Sequence, residues 1–89
     1  MNVHVILYHW CTDEEEGTEI VGAYYDFDRA CDEMHSYMKK RREALSEDYD
    51  HFHQDFEQDN LTYLSFGFYG EGYRMDNSWS GRVETIHVE

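Results

Sequence analysis

Apolar residues cluster in short runs near both ends of the chain. Residues 3–10 (VHVILYHW) and 19–25 (EIVGAYY) are dense in β-branched and aromatic side chains, a composition typical of β-strands. An acidic segment separates them, so the pair predicts an antiparallel hairpin with a long charged connection. Residues 61–69 (LTYLSFGFY) and 82–88 (RVETIHV) predict a third and a final strand by the same signal.

The segment between the last two strands is rich in Gly, Asn and Ser. These residue types favour turns over strand interiors. The segment therefore predicts a turn at residues 70–72, at most a short strand at residues 73–75, and a loop over residues 76–81.

The apolar spacing changes to a helical period in the middle of the chain. Asp26 or Asp28 can cap the first turn, and the helical pattern continues to about Glu57. At about 100° per residue, one apolar face keeps its direction to within about 30°. Its members are Phe27, Met34, Met38, Leu45, Tyr49, Phe52 and Phe56. We therefore predict one long helix, or two helices that share this face with a break near Ser46.

These elements predict a single α+β domain over residues 1–89, in the order ββαββ, with an antiparallel sheet and an amphipathic helix packed on one face. A helix of about thirty residues is about 45 Å long, whereas the predicted strands reach only about 25–30 Å. The helix should therefore overhang the sheet. The overhanging rings need cover from the rest of the chain or from a second copy, which predicts self-association, as a homodimer, through Tyr49, Phe52 and Phe56.

Charge narrows the class of partner. The chain has 20 Asp and Glu against 7 Lys and Arg, for a formal net charge of −13. Such a charge repels nucleic acids and anionic membranes and attracts basic surfaces. Direct nucleic-acid binding also needs cations that displace counterions, and here they are scarce. We expect no direct nucleic-acid or membrane binding, and a basic protein surface as the partner.

The acidic residues concentrate in two blocks, one at the predicted hairpin loop and one at residues 47–59, which contain no Lys or Arg. On the predicted helix, four carboxylates form a stripe opposite the apolar face. Spread over about 21 Å of helix, they are several-fold sparser than the duplex charge of one per ~1.7 Å, so the loop would have to extend the surface. The predicted partner-binding residues are Asp13, Glu14, Glu15, Glu16, Glu43, Glu47, Asp50 and Glu57.

Candidate metal and catalytic sites are weak. His51 and His53 point about 200° apart on a helix, so they cannot chelate together. Asp48, His51 and Asp55 share one helical flank but lack a fourth ligand. No nucleophile motif, metalloprotease motif or carboxylate pocket can be identified. We therefore predict no metal, no cofactor and no enzymatic activity, and a His/Asp metal- or ligand-binding domain stays as an alternative.

Cys11 and Cys31 form no C-x-x-C pattern, so we expect free thiols in a reducing cytoplasm. The N-terminal residues lack the basic and apolar regions of a signal peptide. No segment approaches the ~20 apolar residues of a membrane span. These features predict a cytoplasmic protein.

In size, net charge, acidic blocks and exposed-looking tyrosines, the chain resembles the small acidic proteins with which phages disable host defences, including anti-CRISPR proteins and DNA mimics. The resemblance implies a viral protein, in the cytoplasm of a bacterial host, that inhibits by occupying the nucleic-acid groove of a Cas nuclease or similar enzyme. The basic block at residues 39–42 departs from a pure DNA mimic. A small oligomeric domain whose acidic surface only solubilises it stays as an alternative.

Overall fold

The computed structural model describes residues 1–12, 15–48, 52–70 and 77–89, with residues 46–48, 52–58 and 68–70 described by their backbone alone. Five strands form one antiparallel sheet in the order β2-β1-β5-β4-β3, and one helix packs on a single face of it. This architecture confirms the predicted α+β class. The elements are β1 (Asn2–Cys11), β2 (Glu16–Tyr24), α1 (Phe27–Asp48), β3 (Phe52–Asn60), β4 (Tyr63–Gly70) and β5 (Asn77–His87).

Asp26 caps the helix, as one of the two predicted alternatives. Its Oδ1 atom accepts a hydrogen bond from the N–H of Asp28 at 3.0 Å, and its carbonyl accepts the N–H of Ala30 at 3.0 Å. An N-cap of this kind stabilises a helix by about 1 kcal/mol, because it satisfies a donor that has no partner within the helix. It fixes where α1 leaves the β1–β2 hairpin.

The core lies between the helix and one face of the sheet. Alternate residues of β1 face the helix, and cross-strand partners in β4 and β5 continue the same face. Met34 and Met38 from α1 are fully buried against this face. The buried core cluster consists of Ile6, Tyr8, Met34, Met38, Leu64, Phe66 and Trp79.

The helix is shorter than the apolar pattern predicts. It ends at Asp48, and the segment that was predicted to continue it forms strand β3 instead. Phe52 and Phe56 are four residues apart, a spacing that fits one face of a helix. In β3, a register irregularity between Gln54 and Phe56 breaks the alternation between them. Pairing with β4, which sets Phe56 opposite Gly67, decides for the strand. The predicted overhang of the helix is therefore wrong, and self-association through Phe52 and Phe56 stays a prediction. Tyr49 lies outside the described residues.

The predicted loop over residues 76–81 is also wrong in its described part. Asn77 begins β5, which pairs with β4 on one side and with β1 on the other. Trp79 is 4% exposed in the core, so burial of its large side chain outweighs the turn preference of the flanking Ser and Asn residues. The predicted short strand at residues 73–75 lies outside the described residues.

Candidate protein-binding surface

The β1–β2 connection places acidic residues at one end of the sheet. Cys11 pairs with Glu16 where the two strands meet. The N–H of Thr12 donates to the carbonyl of Glu15 at 2.8 Å, and the N–H of Glu15 donates to Thr12 Oγ1 at 3.1 Å. Glu15 and Glu16 are both exposed. Asp13 and Glu14 lie between these anchored ends, outside the described residues.

The helix brings further acidic residues to the same end. Near its start, Phe27 contacts the ring of His4 edge-on, at 5.2 Å between centroids. Ten residues later, about three helical turns, Tyr37 contacts Tyr8 in the same manner at 5.3 Å. The helix therefore runs in the direction of β1, and its last turns reach the end where β1 and β2 meet. Glu43 is exposed there. We call this end, with Glu15, Glu16 and Glu43, the acidic end.

Strand β3, which carries part of the second acidic block, begins at this end. Glu16, Cys11, Ser78, Gly67 and Phe56 form one row across the five strands. Four strand spacings separate the first from the last, so the two edges lie about 19 Å apart. Glu57 follows Phe56 on β3, and Asp59 lies further from this end, in the row of Tyr8 and Glu19. The start of β3 thus lies at the same end of the sheet as Glu15 and Glu16, on the opposite edge.

The predicted single stripe of carboxylates along the helix is wrong. Glu43 and Glu47 lie on α1, but Glu57 lies on β3 opposite Phe66, and Asp50 is outside the described residues. The acidic end is therefore built from separate elements of the fold.

The predicted metal trio Asp48–His51–Asp55 is wrong in its helical geometry. Asp55 lies on β3, so it cannot share a helical flank with Asp48. His51 lies outside the described residues.

Arginine side chains close to this end are used in packing. The guanidinium of Arg41 lies over the rings of Tyr8 and Tyr37, at 5.2 and 5.6 Å from their centroids. Its Nε donates to the Tyr37 hydroxyl at 3.2 Å, and this bond raises the pKa of Arg41 further. The contacts confirm that Arg41 lies along the apolar face. Burial raises the pKa of Tyr8 to about 12, a shift that the nearby Arg41 charge opposes.

Two other arginines also have partners. Arg29 lies over the ring of Tyr24 at 4.9 Å, and Arg82 Nε donates to Glu84 at 2.9 Å. Lys39 and Lys40 are exposed on the helix, one turn before Glu43. Among the described side chains, the acidic end therefore carries Glu15, Glu16 and Glu43, with the exposed lysines of the basic block one turn away on the helix.

Histidines of the described segments act as hydrogen-bonding groups. His9 contacts Thr18 Oγ1 at 2.7 Å and Glu16 at 3.3 Å. His35 reaches the β3–β4 turn, with Nε2 at 2.8 Å from the Asn60 carbonyl and Nδ1 at 3.3 Å from the Asp59 carboxylate. Within the described ranges, no three His, Cys, Asp or Glu side chains converge as a group that could hold a metal ion.

Both thiols are free, as predicted. Cys31 is buried and Cys11 half-buried. Burial, followed by the charges of Asp28 and Asp32, raises the pKa of the Cys31 thiol, so this sulfur stays protonated and weakly nucleophilic near neutral pH. Among the described residues, no helix has the length and apolar character needed to cross a membrane.

The sequence alone did not single out the outer edge of β2. Ile20 is 68% exposed on the sheet face opposite the helix, directly across from Leu7. The Thr18-Glu19-Ile20 stretch predicts strand, but only the strand order shows that this strand lies at an edge.

No protein-family model, curated protein or solved structure matches this chain.

Proposed function

We propose that this chain is a non-enzymatic inhibitor whose acidic end occupies a basic, nucleic-acid-binding surface of a partner protein, such as the nucleic-acid groove of a Cas nuclease. One observation carries the proposal: Glu15 and Glu16 of the first acidic block and the start of β3, which belongs to the second block, are distant along the chain but lie at one end of the sheet. A solubilising surface needs charge, but it does not need this convergence.

The amount of charge also supports the proposal. A small domain stays soluble with a net charge of about 2–8 of mixed sign, and this chain has −13. Charge concentrated at one end raises the rate of encounter with a basic groove, because the fields add over the approach distance. The attraction should weaken with salt, since exposed charges are screened beyond ~8–10 Å.

The acidic end is not a copy of a DNA backbone. Its two edges lie about 19 Å apart, with Cys11, Ser78 and Gly67 between them in the same row. We therefore expect the partner to contact separated acidic groups and the small side chains between them. This is the mixed surface of a protein interface, in which charge steers the encounter and packing holds the complex.

The test compares two charge-reversed variants with equal net charge. Glu15→Lys/Glu16→Lys/Glu43→Lys changes the acidic end. Asp32→Lys/Glu84→Lys/Glu89→Lys changes exposed residues elsewhere. Each triple reversal takes the formal charge from −13 to −7, because each substitution changes it by two. The two variants therefore have the same long-range attraction to a basic partner, and they differ only in which acidic residues have been replaced.

The readouts are binding of the labelled chain to a purified Cas nuclease–guide complex and inhibition of target cleavage. We expect wild type and the second triple variant to inhibit, the acidic-end variant to lose inhibition, and excess duplex DNA to compete with binding. Equal inhibition by the two variants would show that the acidic end is only a solvated surface. No inhibition by wild type would remove this nuclease as the target.

A further inference from the structure

Strand β2 has an open edge along its backbone in the part of the chain that the structure describes. It is the first strand in the sheet order, and among the described residues it pairs with β1 alone. Alternate N–H and C=O groups of an edge strand point away from the sheet and can pair with another chain. From Glu16 to Ile20 the register with β1 is regular, and an irregularity follows between the pairs of Ile6 and Leu7. The regular part is about 17 Å long.

Side chains on both faces flank this edge. On the open face, Ile20 is 68% exposed and Thr18 lies two residues before it. On the helix face, the Tyr37 hydroxyl donates to Glu19 at 3.5 Å. Glu33 and Lys40 lie four residues before and three after Tyr37, so they share its side of the helix. A strand added at this edge would therefore meet Thr18 and Ile20 on the open face of the sheet and the Tyr37 side of α1 on the helix face.

We propose that the edge of β2 from Glu16 to Ile20 binds an extended basic peptide segment of the partner as a sixth, antiparallel strand. Main-chain hydrogen bonds supply affinity in this mode of recognition, and alternate side chains supply specificity. The peptide would carry an apolar residue across from Ile20 and Lys or Arg across from Glu16 and Glu19. This proposal rests on the proposed function in one respect, namely that the partner is basic.

Charge favours a basic segment over a second copy of the chain at this edge. Two copies would bring together net charges of −13 each. The charged Glu19 and the register irregularity after Ile20 are features that hinder pairing between identical edges. Lys or Arg in an added strand would instead form favourable cross-strand pairs with Glu16 and Glu19, and each pair contributes about 0.2–1 kcal/mol.

The probe is a fluorescein-labelled ten-residue peptide with the core Val-Lys-Val-Val-Lys. In the antiparallel register this core sets Val across from Ile20 and Lys across from Glu19 and Glu16, because Glu16 and Ile20 share one face of the sheet and Glu19 lies on the other. The control peptide has the same sequence with N-methyl groups on alternate backbone nitrogens, which removes one row of donors and keeps every side chain. We expect the first peptide to bind and the methylated peptide to bind at least about tenfold more weakly, since strand pairing depends on those donors. Equal binding of the two would show that charge alone attracts the peptide.

Matched variants locate the site. Ile20→Lys removes the exposed apolar residue of β2. Ile86→Lys makes the same change at the other end of the open face, where Ile86 is 50% exposed opposite Val3. We expect only Ile20→Lys to weaken peptide binding, by about tenfold or more, as for the loss of one buried aliphatic side chain. Equal weakening by both variants would overturn the proposal.

Hydrogen exchange and sedimentation complete the test. Peptide binding should protect amides of β2, and protection confined to β3 or β5 would place the peptide at another edge. If the chain forms a dimer through β2 in the absence of peptide, the partner of this edge is a second copy of the chain and the proposal of a basic peptide is overturned. Nuclease inhibition separates the two proposals. If Ile20→Lys loses peptide binding but still inhibits the nuclease, the acidic end remains the inhibitory surface and the β2 edge is not part of it.

Discussion

Gly81→Ala tests how closely the helix packs on the sheet. Gly81 is buried between Tyr8 and Leu64 in the row of cross-strand partners. A Cβ atom there would lie 2.6 Å from Met38 Cγ, 2.8 Å from Met38 Sδ and 3.3 Å from Met34 Cγ. Both methionines are fully buried. Their side chains therefore cannot move aside without displacing other core groups or the helix.

The expected loss of stability is about 1–2 kcal/mol. Overpacking a well-filled core costs about 1–3 kcal/mol, and replacing Gly by Ala recovers about 0.4–1 kcal/mol because the unfolded chain loses conformational freedom. For a domain of this size, each kcal/mol lowers the melting temperature by about 4–8 °C. Urea denaturation followed by tryptophan fluorescence measures the change. Ser80→Ala is the control, because Ser80 faces the opposite side of the sheet; we expect a change within about 0.5 kcal/mol.

A double-mutant cycle shows whether Met38 causes the loss. Met38→Ala removes both atoms that lie closest to the added Cβ. In that background we expect Gly81→Ala to be neutral or stabilising, since the new methyl group fills part of the cavity. If Gly81→Ala is as stable as wild type, or if its cost is undiminished beside Met38→Ala, the close approach of helix and sheet is refuted.

Two further predictions concern ionisable side chains in the described fold. Because the pKa of Tyr8 is raised to about 12, the folded chain keeps this proton between pH 10 and 12 while the unfolded chain loses it, so stability should fall with rising pH in that range; urea midpoints of wild type should show this fall and those of Tyr8→Phe should lack this component of it. His35→Ala should speed hydrogen exchange at residues 60–64, because the ring joins α1 to the β3–β4 turn, whereas His87→Ala should not.

The sequence determined the strands at both ends of the chain and the start of the helix. These elements have local causes: β-branched and aromatic runs at residues 3–10 and 82–88, and an Asp whose side chain caps the first turn of the helix. The sequence also placed Arg41 beside the apolar face, because its position follows from the helical period alone. Each of these features depends on residues close together along the chain.

Tertiary structure decided the remainder. The spacing of Phe52 and Phe56 fits one face of a helix, and only pairing with β4 selects the strand. Burial of Trp79 draws a turn-like segment into the middle of the sheet. The strand pairings place β2 at an edge and bring Glu16 and the start of β3 to one end, and the packing of α1 along β1 brings Glu43 to the same end. A surface assembled from distant segments is set by strand order and helix direction, and these depend on non-local packing that no short stretch of sequence encodes.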